Sequence, residues 1–284
     1  MNTHAALRSP KEFELTDNDF NRLRELVTKH TGINLSDAKR TLVYSRISRR
    51  LRELGLNQFK DYCDLIEQRN SNELENFSNA ISTNLTAFFR ESHHFDYLAN
   101  TVLPQILANN HDRQRLRIWS AGCSTGEEPY SLAMVVSEVM PKNSTWDIKI
   151  LATDLDTQVL ATAKRGVYGP DRTSGLSPQR LKRWFTAGKG DQQGKVRVVP
   201  ELQQMITFKQ LNLMHDWPMR GPFDVVFCRN VVIYFDKPTQ RVLFQRIAEL
   251  MPAASHLLIG HSETLFNVSE QFELIGKTIY QRNQ

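Results

Sequence analysis

The chain has 284 residues, and its 36 lysines and arginines against 31 aspartates and glutamates give a formal net charge of +5 and a pI of about 9.1. A composition 40% hydrophobic, 24% charged and 9% aromatic excludes a disordered or fibrous protein, and no apolar run approaches the roughly 20 residues of a membrane-spanning helix. Three cysteines without a C-x-x-C pair indicate neither a disulfide framework nor a zinc site, and the absence of an apolar signal core at the N-terminus points to a cytoplasmic protein.

The first part of the chain has helical periodicity. Thr16 or Asp17 caps a first helix with Phe20, Leu23, Leu26 and Val27 inward, and Gly32 ends it. A second helix is expected over 36–54, with Val43, Ile47, Leu51 and Leu54 inward and Gly55 as its stop. Two more follow near 58–67 and 74–81, so residues 1–90 are expected to form a small all-α domain. From about Arg115 short apolar runs at 116–120, 148–153, 225–228 and 257–260 alternate with amphipathic stretches near 127–140, 156–165, 177–185 and 238–250. That alternation predicts a parallel α/β sheet over 91–284. The segment KVRVVPELQQMITF (195–208) follows the turn GKGDQQG and is expected to form an antiparallel hairpin inserted at about 190–210.

The segment RIWSAGCSTGEEPYSLAM (117–134) reads as strand, small-residue turn and helix, with Gly122 and Gly126 in the turn and Pro129 in the first helical turn. A dinucleotide's pyrophosphate favours a bare positive helix end, but Glu127 and Glu128 stand there. A cationic ligand such as S-adenosylmethionine fits better, and G-x-x-x-G misses the dinucleotide spacing. The glutamates would equally complement the helix dipole. The second strand ends in ATDLD, so Asp154 emerges where an acid holds ribose hydroxyls and Asp156 caps the next helix. GDQQGKV lacks the residues of a phosphate loop and GHSET is not a nucleophile elbow. His93, His94 and His261 read as capping or core histidines rather than ligands.

Three further segments, TNLTAFFRES (83–92), FKQLNLM (208–214) and FCRNVVIYFD (227–236), together with STGEEPYS (124–131) and GHSE (260–263), closely resemble the chemotaxis receptor methyltransferases of the CheR family from about residue 16 onward. The resemblance implies a Rossmann-like S-adenosylmethionine-dependent methyltransferase domain, a small N-terminal all-α domain and an inserted antiparallel β-subdomain. It implies esterification of glutamate carboxylates on the cytoplasmic coiled coils of chemoreceptors for adaptation, with S-adenosylhomocysteine as product and no metal. Carried over by position, Asn84, Thr86, Arg90, Ala121, Glu128, Asp154, Asn212, Leu213, Arg229 and Asn230 line the cofactor site, and Arg90 and Tyr234 stand nearest the transferred methyl. In some members the β-subdomain docks a C-terminal receptor peptide, and the GKGDQQG loop is similar in length to that subgroup.

The acceptor chemistry needs no general base, because a glutamate with an ordinary pKa near 4.3 is already ionised at neutral pH. Arg90 and the Tyr234 hydroxyl suit the work of orienting it. The second helix contains Lys39, Arg40, Arg46, Arg49, Arg50 and Arg52 and no acid between them. Arg46, Arg49 and Arg50 fall on one face, read as a docking face for acidic receptor helices. An RNA methyltransferase of the same fold is the competing reading, but this helix offers only Tyr44 for base stacking. The expected form is a monomer that is not membrane-integral.

Overall fold

A computed structural model describes residues 12–68, 72–109, 114–141 and 145–283. The chain divides into two compact units, Met1–Ser82 and Thr83–Gln284, so the division falls eight residues before the expected boundary at 90 and the segment TNLTAFFRES belongs with the second unit.

The first unit contains α1 (Asp17–Thr31), α2 (Arg40–Leu54), α3 (Phe59–Glu67) and α4 (Glu73–Ile81). Thr16 caps α1 through Asp19 N while the Asp19 carboxylate reaches back to Thr16, a reciprocal capping box. Gly32 and Gly55 close α1 and α2 in the left-handed region. A short 3₁₀ turn, Asp37–Lys39, precedes α2, so the expected helix over 36–54 is split near its start. Phe20, Leu23, Val27, Val43, Ile47, Leu51, Phe59 and Phe77 are buried; their spacing of three and four is what makes these segments helices with one apolar stripe.

The second unit begins with α5 (His93–Tyr97), a π-turn (Leu98–Val102) and α6 (Leu103–Asn109). There follow β1 (Arg115–Ala121), α7 (Glu127–Val139), β2 (Asp147–Asp154) and α8 (Thr157–Arg165). Next come β3 (Val167–Tyr168), α9 (Pro170–Thr173), α10 (Pro178–Trp184), β4 (Phe185–Ala187), β5 (Val196–Val198) and α11 (Pro200–Gln204). The remainder is β6 (Ile206–Gln210), β7 (Val225–Cys228), α12 (Lys237–Glu249), β8 (His256–Ile259), β9 (Phe272–Gly276) and β10 (Ile279–Arg282). The main sheet runs β6-β2-β1-β7-β8-β10-β9, parallel from β6 through β8 and antiparallel at β10 and β9.

Alternation along β1 divides the core. Ile118 packs with Val136, Ile150 and Phe227 on one face, and Trp119 with Val226, Leu243 and Phe244 on the other, as the two-residue period of a strand requires. The expected hairpin at 195–208 does not form. Its first half, β5, joins β3 and β4 in a separate antiparallel sheet, while its second half, β6, pairs parallel with β2. Pro200 separates them by opening α11; a proline in that position starts a helix rather than turning a hairpin. The inserted sheet therefore draws on 167–198 rather than 190–210. Among the described residues no helix is long and apolar enough to cross a membrane.

Candidate methyl-transfer site

The site is assembled at the carboxyl ends of β1, β2 and β7, where ligands bind in sheets of this type. After β1 the chain turns through Gly122 and Gly126, both in the left-handed region. The Gly122 and Cys123 amides donate to Thr153 O at 2.8 and 2.9 Å, stitching the turn to the end of β2. A Cβ on Gly122 would lie 2.4 Å from Val231 Cγ2, and one on Gly126 2.9 Å from both Ala163 Cβ and Tyr168 Oη, so neither position has room for a side chain.

Asp154 is buried at the end of β2. One carboxylate oxygen accepts from Ser124 N at 2.7 Å and the other from Asp156 N at 3.0 Å. Burial outweighs these amides and raises its pKa to about 6. A buried carboxylate at the carboxyl end of a strand is where an acid meets a ribose diol in sheets of this type. Asp156 caps α8, accepting from Gln158 and Val159. Asn84 Nδ2 donates to Asp156 Oδ2 at 2.7 Å, and Ser124 Oγ to Asn84 O at 2.8 Å. Asn84 thus ties the segment after residue 82 to the turn.

The two glutamates at the start of α7 differ. Glu127 is sealed from solvent and pairs with Arg172, which also donates to Thr125 Oγ1 at 2.7 Å. Glu128 accepts from Ser120 Oγ at 2.8 Å and from Arg229 Nη1 at 2.8 Å; burial nonetheless pushes its pKa upward against the pull of Arg229. Both carboxylates of the expected cation-facing pair are therefore already matched by arginines, Glu127 by Arg172 and Glu128 by Arg229.

Arg229 is buried at the end of β7 and reaches Glu128, Glu91 at 3.4 Å and the carbonyl of Arg90. Arg90, half-buried, donates through Nη1 to Leu85 O at 2.7 Å. Asn230 follows in the left-handed region with φ 58°, and Tyr234, half-buried, ends a 3₁₀ turn over Val232–Tyr234. Ala121 and Leu213 are buried; Asn212 Oδ1 accepts from Met214 N at 2.9 Å, and Thr86 is half-buried. The second unit thus holds two bonded clusters beside the glycine turn, Asn84 with Ser124, Asp154 and Asp156 and Glu128 with Ser120, Arg229 and the Arg90 carbonyl.

Several participants, all but Arg172 in or beside the motif segments, were given no role in the site by the sequence. Glu91 is one: burial works to raise its pKa, but the hydrogen bond from His261 at 2.8 Å and the charge of Arg229 outweigh it and hold it at about 2. His94 is fully buried beside it; burial, Arg229 and His93 depress its pKa to about 3. Arg172 and Glu263 are others. Only the recurrence of acids and arginines on either side of the glycine turn hinted at them.

In the first unit the six basic residues have partners. Arg46 Nη1 donates to the carbonyls of Ala80, Ile81 and Ser82 at 3.1, 2.6 and 2.7 Å, closing the C-terminus of α4. Arg50 grips buried Glu73 through two hydrogen bonds of 2.8 and 2.6 Å and also meets Glu53. Arg40 bonds Leu15 O and Asp17, and Arg52 meets Glu12 at 3.0 Å. Lys39 is half-buried, and Arg49, paired with Glu53 at 3.0 Å, leaves its side chain 78% exposed. The unbroken basic stretch is thus offset by acids from outside it, which local sequence did not reveal.

A Rossmann-like sheet, a glycine turn closed over a buried acid and an all-α unit define an S-adenosylmethionine-dependent methyltransferase of two units. Residues 84–281 match the CheR methyltransferase SAM-binding domain and residues 18–82 the CheR all-alpha domain; the chain belongs to the CheR methyltransferase family. It is 45% identical to chemotaxis protein methyltransferase 2 of Pseudomonas aeruginosa, over 95% of each chain. It is 42% identical to the chemotaxis protein methyltransferase of Escherichia coli, over 98% of this chain and 95% of that one. A probable chemotaxis protein methyltransferase of Rhizobium etli is 43% identical over 90% of this chain and 96% of its own.

Proposed function

We propose that the protein methylates glutamate carboxylates on the cytoplasmic helices of chemoreceptors, working on the cytoplasmic side as a monomer. When bound, S-adenosylmethionine supplies an activated methyl on a sulfonium. Asp154 would hold the ribose, Ala121, Glu128, Asn212 and Leu213 would line the nucleoside, and Asn84, Thr86, Arg90, Arg229 and Asn230 would complete the wall. The observation that carries the reading is the run from Glu128 through Arg229 to the backbone of Arg90, because it fixes the chain from which the Arg90 side chain projects. Arg90 and Tyr234 would align the acceptor carboxylate and remove its water; the acceptor arrives ionised, so neither has to take a proton.

The acceptor helices would dock on the first unit through the basic residues of α2, with Arg49 the most available. Lys39, Arg40, Arg46, Arg50 and Arg52 would set the positive field around it. A receptor C-terminal peptide would add to the three-stranded sheet of β3, β5 and β4. The RNA alternative loses its one stacking residue: Tyr44 packs against Phe59 with ring centroids 5.8 Å apart and its hydroxyl accepts from Phe13 N.

The deciding experiment is methyl transfer from radiolabelled S-adenosylmethionine to a receptor cytoplasmic fragment, with bulk RNA in parallel, followed by mild alkali. Label on the fragment released as methanol is the expected result. Alkali-stable label on RNA would overturn the substrate assignment and leave the fold and cofactor standing.

A further inference from the structure

Glu263 is an acidic side chain 6% exposed whose carboxylate meets no cationic side chain among the described residues. Four backbone amides fill it instead. Oε1 accepts from Val232 N at 2.8 Å and Ile233 N at 3.3 Å, and Oε2 from Asn230 N at 2.9 Å and from Gly260 N at 2.6 Å. Three of the four belong to the loop after β7, the segment that carries Arg229, Asn230 and Tyr234. A buried carboxylate is costly unless its acceptor capacity is used, and peptide N–H groups converging on one anion form a rigid nest.

The two loops are also in close contact. A Cβ on Gly260 would lie 2.5 Å from Asn230 Nδ2, 2.8 Å from Asn230 N and 2.9 Å from Glu263 Oε2. The clamped loop is in turn pressed against the glycine turn through Val231, whose Cγ2 occupies the space a Gly122 side chain would need. From the other side Gln240 Nε2 donates to Val232 O at 2.8 Å and Phe235 O at 3.0 Å.

We infer that Glu263 is a positioning residue for methyl transfer: it holds the backbone of 230–233 and so fixes the loop from which Tyr234 projects. This rests on the reading that Arg90 and Tyr234 flank the transferred methyl. The two ends of the loop respond differently to its loss. Arg229 has anchors of its own on Glu128, Glu91 and the Arg90 carbonyl, so of the cofactor wall only Asn230 is disturbed. The stretch from Asn230 to Ile233 loses three backbone tethers at once, so the transfer end loosens.

The test compares wild type with Glu263→Gln, which keeps the shape but turns an amide toward the backbone donors, and with Gly260→Ala, which keeps the carboxylate but forces the loops apart. Three quantities are measured: kcat on the receptor fragment at saturating S-adenosylmethionine, the Kd for S-adenosylhomocysteine by calorimetry, and amide hydrogen exchange over 230–233. The expected result in each folded variant is a kcat at least about tenfold lower, a Kd raised by a clearly smaller factor through Asn230, and faster exchange at these amides. Wild-type kcat in a folded variant, or kcat and Kd worsening by the same factor, overturns the proposal. If neither variant folds, exchange in the wild type decides: the Val232 and Ile233 amides must be among the slowest in the loop, and fast exchange there overturns the clamp. A wild type that methylates no receptor fragment would refute the functional reading itself, while the Kd and exchange measurements would still judge the clamp.

Discussion

Arg229 and Glu128, 101 positions apart in the chain, meet at 2.8 Å with both side chains nearly sealed from water. The contact joins the end of β7 to the first turn of α7, and so joins the loop carrying Asn230 and Tyr234 to the glycine turn. Such a pair gains little over two well-packed apolar residues, but breaking one side of it is expensive.

Replacing Arg229 by Ala strands two carboxylates, Glu128 and Glu91. Urea unfolding should show a loss of about 3–5 kcal/mol. Glu128 already has its pKa raised by burial, and without Arg229 it rises further. The folded state of the variant then holds a proton that the unfolded state has released, so its deficit should widen as the pH climbs above the ordinary glutamate value. A deficit independent of pH would contradict the pairing.

Asp154 should make cofactor affinity depend on pH. Its pKa is raised to about 6, and it accepts hydroxyls best when ionised. The Kd for S-adenosylhomocysteine should tighten as the pH rises through about 6 and be flat above it, with a slope of at most about tenfold per unit. Asp154→Asn should abolish the dependence and cost about 1.5–3 kcal/mol of binding. The same raised pKa makes the free protein lose stability as the pH rises from near the unfolded value through about 6. Calorimetry across pH 5 to 8 checks the first effect and thermal unfolding the second.

Arg90→Ala should lower kcat by about a hundredfold with a much smaller change in the Kd for S-adenosylhomocysteine. Only the side chain is removed; the carbonyl that receives Arg229 stays. Equal losses in both would make Arg90 a plain binding residue.

Two arginines of α2 separate structure from docking. Arg46→Ala removes three hydrogen bonds to the end of α4 and should lower stability by about 2 kcal/mol. Arg49→Glu should leave the unfolding midpoint nearly unchanged, slow association with the receptor fragment and weaken its salt dependence. An unchanged rate and salt response for Arg49→Glu would remove the docking role from α2.

Four of the five parallel strands, all but β6, were legible because buried strands read as short apolar runs; β7 was placed to the residue, as VVFC. The helices flanking them showed their caps, Asp156 most plainly. The C-terminal β9 and β10 escaped notice because Glu273, Leu274 and Ile275 face outward at the sheet edge and show no alternation. Pro200 misled because the same residue suits a turn and a helix start. Glu91 and Glu263 stand inside the segments TNLTAFFRES and GHSE, but their roles were not legible, because their partners Arg229 and the 230–233 amides are distant in sequence.

The turn after β1 also carries Cys123, buried to 1% exposure with its thiol directed at Ser124 O. Burial and the neighbouring Asp154 and Glu128 hold that thiol's pKa well above its ordinary value. The thiolate is the nucleophilic form, so with the methyl donor bound as proposed this buried sulfur is kept from reacting with it. Protection from self-alkylation is thus a product of the same dense packing that closes the glycine turn, and the protein should outlast prolonged incubation with its own methyl donor.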